Sequence, residues 1–125
     1  MYESTAYLPP GWPARVPPPG TDGWEQSATQ FLLDCCPPAL IDAGLPRRQL
    51  VVLAHLTEGF LDGQHATSRE LLAGLRASLS PWVEPEVVTV AVESLQAVEA
   101  RLVRLRREVG LVGGAVRGVV YRPRL

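Results

Sequence analysis

Apolar residues recur without a break from Val88 to Val116. Val88, Ala91, Leu95, Val98, Leu102, Leu105, Val109, Val112 and Val116 lie alternately three and four residues apart, the spacing of a helix that buries one seam against another helix. Pro85, set between Glu84 and Glu86, suits the first turn of that helix. A proline there gives up only an N–H that has no intrahelical partner, and acidic side chains complement the helix N-terminus. The pattern predicts a helix over about 85–116. A weaker row, Leu50, Leu53, Thr57, Phe60, Gln64, Thr67 and Leu71, has polar residues at three of its seven positions. It predicts a preceding helix over about 46–80, opened by Pro46 and closed by Pro81 and Pro85. The short link between the two makes them an antiparallel hairpin. Gln64 and Thr67 leave that seam under-packed, with room for another helix or a second subunit. Gly59, Gly63 and Gly74 each cost about 1 kcal/mol relative to alanine in a helix, so a bend or a close helix contact is expected at them.

Upstream, Trp24, Ala28, Phe31 and Leu32 recur at helical spacing. They predict a shorter helix over about 23–35, with Asp22 as its N-cap and Pro37-Pro38 as its stop. Six of the 12 prolines fall within residues 9–19, which excludes helix and inner strand there. The segment is expected to run as an extended arm, anchored through Trp12 and Val16 on its own domain or on a partner. The prolines around Arg15 do not complete the usual ligand pattern for an SH3-like module. The organisation that follows is a Pro-rich arm over 1–22, a helical domain over 23–118 and a basic tail over 119–125.

With 46% hydrophobic and 20% charged residues in 125, the chain suits one folded domain rather than a disordered segment. All 12 basic residues are arginine, and there is no lysine or asparagine, usage that tracks a GC-rich genome and rules out Schiff-base chemistry through lysine. The net charge of −1 excludes a globally basic nucleic-acid binder, yet it hides an uneven distribution. Residues 1–100 carry five arginines against 12 acids, and residues 101–125 carry seven arginines against one acid, so a −7 body is joined to a +6 end. Cations favour a helix C-terminus, and antiparallel pairing would bring these arginines near Glu58 and Asp62. The competing reading is an arginine-rich surface for an acidic protein patch or a phosphate backbone.

Catalytic patterns are missing. There is no GxSxG, no Walker loop ending in lysine and no histidine near Ser78 or Ser80. Cys35 and Cys36 are adjacent, without a CxxC or a nearby histidine, and are read as the buried end of a helix rather than as a redox or metal site. His55, Glu58, Asp62, His65 and Arg69 share one helical stripe that resembles half of a bundle metal centre. At 100° per residue the stripe lies about 120 to 200° from Leu53, so it is expected to face solvent, and no metal or cofactor is expected. No stretch reaches the length of a membrane span, and the N-terminal residues lack the basic and apolar regions of a signal peptide, so a cytoplasmic protein is expected.

Leu8-Pro9-Pro10-Gly11-Trp12-Pro13, Phe31-Leu32-Leu33-Asp34-Cys35-Cys36-Pro37-Pro38, Arg107-Glu108-Val109-Gly110-Leu111-Val112 and Tyr121-Arg122-Pro123-Arg124-Leu125 together resemble a group of small, uncharacterised actinobacterial proteins. The resemblance implies no activity, cofactor or site. The sequence thus predicts an all-α, non-enzymatic interaction module: a long antiparallel hairpin, a shorter N-terminal helix and a Pro-rich arm. Its expected partner is a protein or a second copy of itself, with nucleic acid as the alternative. The expected contact residues are Trp12, Arg101, Arg104, Arg107, Arg117, Arg122 and Arg124.

Overall fold

The computed structural model describes residues 7–44 and 49–124. They form α1 (Trp24–Cys35), α2 (Pro38–Asp42), α3 (Leu50–Leu79) and α4 (Pro85–Val116), with no strand among the described residues. The long helices α3 and α4 pack along each other. Ion pairs fix their sense: Glu58 meets Arg117, Asp62 meets Arg106, and His65 and Arg69 meet Glu99. Rising numbers on α3 meet falling numbers on α4, so the hairpin is antiparallel.

Pro85 occupies the first turn of α4 as its position requires. Pro46, assigned to the first turn of the preceding long helix, lies outside the described residues, and Gln49 is the N-cap of α3. The cap of α1 is not Asp22 but Gly23, whose φ of 79° sets the chain's entry without a side-chain cap. A short helix, α2, fills the connection after Pro37 that the sequence left as a link. Pro38 stands at its first position, and Leu40 and Ile41 pack against the core.

Two glycine groups behave differently. Gly113 and Gly114 sit where α4 is approached closely. A Cβ on Gly113 would run into the Glu58 carboxylate and touch Ala54, and one on Gly114 would strike the Tyr121 hydroxyl. These glycines do not end α4, which continues to Val116 and closes at Gly118. There the Val119 N–H donates to Gly114 O at 2.9 Å and the Gly118 N–H to Ala115 O at 3.0 Å, the paired bonds of a Schellman cap. Gly59, Gly63 and Gly74, by contrast, make no close contact, since an added Cβ would meet nothing within 4 Å. The close approach expected at them is therefore not found, and α3 runs through all three. Exchanging both Gly59 and Gly63 for alanine is expected to raise stability by about 1–2 kcal/mol, because each exposed helical glycine costs about 0.5–1 kcal/mol relative to alanine. A higher urea midpoint at unchanged slope would show this, and a lower midpoint would reveal a contact at those positions.

The core is built at the base of the hairpin. Ala28, Phe31, Leu32 and Leu33 of α1 pack with Leu53, Ala54 and Leu61 of α3 and Leu102, Val109 and Val112 of α4. Thr57 is fully buried among them, and its hydroxyl donates to Leu53 O at 2.7 Å, so the polar position in the seam carries no unmet hydrogen bond. Beyond Thr57 the inward row of α3 is not the one the spacing suggested. Leu61 and Ser68 are buried, whereas Phe60, Gln64, Thr67 and Leu71 are exposed. Leu53 and Thr57 can be continued by a step of three or of four, and α4 lies on the four-step side. The three-step row is left at the surface: Phe60 lies with His55, Leu56 and Gly59, and Gln64 borders the cleft at the end of α1.

Candidate interaction surface

The Pro-rich arm belongs to the same body as the helices. Over its described residues, 7–22, it carries neither helix nor strand, and three hydrogen-bonded turns bend it onto the core: Trp12 N–H to Pro9 O at 3.1 Å, Val16 N–H to Pro13 O at 3.1 Å and Thr21 N–H to Pro18 O at 3.2 Å. In the first and last, Pro10-Gly11 and Pro19-Gly20 fill the central positions with glycine φ values of 92° and 86°, the requirement of a type II turn. Val16, only 1% exposed, is the arm's deepest anchor. Arg15 lies over the Phe31 ring, 5.1 Å from its centroid, and donates to Asp34 at 2.7 Å. That bond, joined by one from Gln30, holds the Asp34 carboxyl below the usual carboxylate range.

Trp12 is half-buried. Its indole N–H donates to Val16 O at 2.7 Å, and its ring meets Tyr121 edge-on at 6.3 Å. Tyr121 in turn donates to Leu111 O at 2.7 Å, so arm and tail close on each other over α4. Burial, followed by the nearby Glu58 charge, pushes the Tyr121 hydroxyl above its ordinary pKa.

The arginines divide into two groups. Arg117 makes a two-pronged pair with Glu58, at 3.1 Å on each prong, and Arg106 donates to Asp62 at 2.8 Å. Arg107 lies against Gly11 and donates to Pro10 O at 3.3 Å. These three fasten α4 to α3 and to the arm. Arg106, absent from the predicted contact set, is one of them. Its spacing from Asp62 becomes readable only once the helix register is known. Arg101, Arg104, Arg122 and Arg124 are exposed and form no ion pair with any described residue. The polar stripe of α3 stays largely exposed, with the Asp62 and Arg69 side chains 61% and 70% accessible, but its edge reaches α4. Glu58, Asp62, His65 and Arg69 border the α3–α4 seam and pair across it, and the Glu58 side chain is only 16% exposed. Exposed pairs of this kind contribute about 0–1 kcal/mol each, so they set register more than stability.

Among the described residues, no group of three or more His, Cys, Asp or Glu side chains is placed to hold a metal ion. Both cysteines are free thiols. Burial, which outweighs the lowering influence of Arg15, pushes Cys35 up to about 11, and Cys36 is raised by burial while its thiol donates to Leu33 O at 3.2 Å. Protonated at neutral pH, they are poor nucleophiles and poor ligands. No described helix is long and apolar enough to cross a membrane.

A further unfilled surface follows from the length of α1. α1 occupies the groove between α3 and α4 only at the base. Where it ends, Asp34, Cys35, Leu61, Gln64, Val98 and Arg101 border a cleft of about 270 Å³, and from there to the tip no third helix among the described residues fills the groove. In this distal half only Ser68 on α3 and Val88 and Val92 on α4 are buried. Leu71 is 52% exposed, Val98 47%, Val87 51% and Trp82, in the connecting turn, 82%. The predicted seam of α4 does extend to Val88, but its Val98 faces the unfilled groove rather than α3. No protein-family model, curated protein or solved structure matches this chain, and what the surface does is argued from its geometry.

Proposed function

We propose that the chain is a non-enzymatic helical interaction module, a small subunit or adaptor of a larger assembly acting in the cytoplasm. The observation that carries this reading is the half-filled groove. One groove holds α1 at the base and is open toward the tip, where Leu71, Val87 and Val98 stand exposed among polar neighbours such as Gln64 and Thr67. Burying such side chains is worth about 25 cal/mol per Å², so a third helix is favoured there as α1 is at the base. Two free thiols suit a reducing compartment. Phosphate binding is less favoured than it was from sequence alone, because Arg106, Arg107 and Arg117 are engaged within the fold. The four free arginines are split between mid-helix and tail and have no stacking aromatic run between them.

The test compares the natural chain with a Leu71→Glu, Val98→Glu variant, both used as bait in native lysate. Both positions are exposed, so circular dichroism should show the fold unchanged while co-purifying protein falls at least tenfold. Equal recovery on both baits, or a DNA or RNA mobility shift that weakens steeply with salt, would overturn the reading in favour of another surface or of nucleic acid.

A further inference from the structure

The open half of the groove has an extent and a charge distribution that suit one occupant, and we infer that it is the same half of a second copy of this chain. This rests on the reading of the groove as an interaction face and names what fills it. The copies pair groove to groove, antiparallel, about a two-fold axis near the middle of the open stretch.

Three observations lead to that arrangement. First, α1 fixes the direction. It forms a ridge on the groove side at the base, and where it stops the surface steps down onto bare α3 and α4. If the two copies pointed the same way, the α1 ridges would collide. Reversed, the tip of each copy lies in the layer that α1 occupies at the base and continues the established α1 seat without a break. The isologous contact then closes on itself.

Second, the extent suffices. The open stretch covers about 16 residues of each long helix, roughly 25 Å at 1.5 Å per residue, and the helix pair is about 20 Å wide. Two such faces cover about 1,000 Å² in flat projection and more once corrugated, which reaches the size of a specific interface. The side chains it would cover include Leu71, Val87 and Val98, all about half exposed.

Third, the two ends of the open stretch are complementary. The tip of the hairpin, residues 70–98, carries Glu70, Glu84, Glu86 and Glu93 against one arginine, Arg76, which lies beside Pro85 and Val88. The opposite end carries Arg101, which borders the cleft at the end of α1, and Arg104 one turn further on, both exposed and unpaired among the described residues. Antiparallel pairing sets the acidic tip of each copy against the arginine pair of the other. It also brings Trp82, 82% exposed, to the cleft bordered by Cys35, Gln64, Val98 and Arg101. A tryptophan left outside its own fold and an unfilled cleft one groove-length away thereby find each other.

Sedimentation equilibrium on the full chain up to about 100 µM, a range that saturates a micromolar dimer, tests the inference. The natural chain should be a dimer. Arg101→Glu with Arg104→Glu, Glu84→Arg with Glu86→Arg, and Trp82→Ala should each weaken it at least tenfold. Combining both charge reversals in one chain should restore most of the loss. All these positions are exposed, and an unchanged helical signal would separate lost pairing from lost folding. A chain that is monomeric throughout, or a dimer indifferent to all three changes, would overturn the inference. If the monomeric chain still loses its lysate partner on Leu71→Glu, Val98→Glu, only the identity of the occupant has failed, whereas a chain indifferent in both experiments loses the interaction reading as well.

Discussion

Val16→Asp is expected to strip the Pro-rich arm from the helices and to lower the unfolding free energy by about 3–5 kcal/mol. An uncompensated buried charge costs about that much, and Val16 is 1% exposed within the main core cluster. The cost is capped by the arm's docking energy, because the chain can escape it by peeling residues 7–22 away. Two readouts follow from what the arm holds. Trp12 would lose its bond to Val16 O and its edge contact with Tyr121, and the emission maximum should move to the red as those contacts give way to water. Arg15, now paired with Asp34 and seated over Phe31, should become the first site of tryptic cleavage. If stability and cleavage both stay unchanged, the arm is not part of the folded body.

Leu32→Ala should cost about 2–5 kcal/mol, the range for deleting a large aliphatic side chain from a core that can only partly collapse. Leu32 is fully buried on α1, with Phe31 and Leu33 beside it, against Leu53 of α3 and Val109 and Val112 of α4. It belongs to the one cluster in which α1, α3 and α4 meet. Small domains hold about 5–15 kcal/mol in total, so this single change removes a large share. Urea unfolding followed by circular dichroism measures it. A loss below about 1 kcal/mol would mean that α1 rests on the hairpin without holding it together. The same truncation in the open half, Leu71→Ala, should be nearly silent in the monomer, because Leu71 is 52% exposed.

Much of the fold can be read from periodicity because the seam of α4 is long and its helix is punctuated by prolines at both useful points. The alternating spacing from Val88 to Val116 yields the helix, Pro85 its start, and Pro81 the turn. The charge pattern also foretells that antiparallel pairing brings late arginines to Glu58 and Asp62, and it is Arg117 and Arg106 that arrive there. What periodicity could not decide is a step of three against a step of four after Thr57. Both continuations are helical and both contain apolar residues, so the choice depends on which side α4 approaches. The arm was legible as non-helical, but its docking depends on Pro-Gly turns at Pro10-Gly11 and Pro19-Gly20. Their dipeptide signal is local, whereas their effect, folding Trp12 back to Tyr121, is tertiary. The predicted contact residues suffer the same limit. Trp12, Arg107 and Arg117 are conspicuous in the sequence because they are charged or aromatic, and the contacts they make within the fold, to Val16, Pro10 and Glu58, need the tertiary structure to be seen. Arg101 and Arg104 are exposed, and Arg101 borders the cleft at the end of α1. The open groove is invisible in the sequence because it results from the length of α1, which stops at Cys35 while the hairpin runs on to Trp82.

The molecule has a finished half and an unfinished half. Hydrogen exchange resolved along the chain, measured at about 1 µM and again at about 100 µM, addresses both halves at once. At the low concentration the amides of residues 53–61 and 102–116 should exchange slowly and those of 64–79 and 85–98 faster. At the high concentration the second group should gain protection while the first is unchanged. Equal protection in both halves at 1 µM, or concentration-dependent protection confined to the base, would contradict the account.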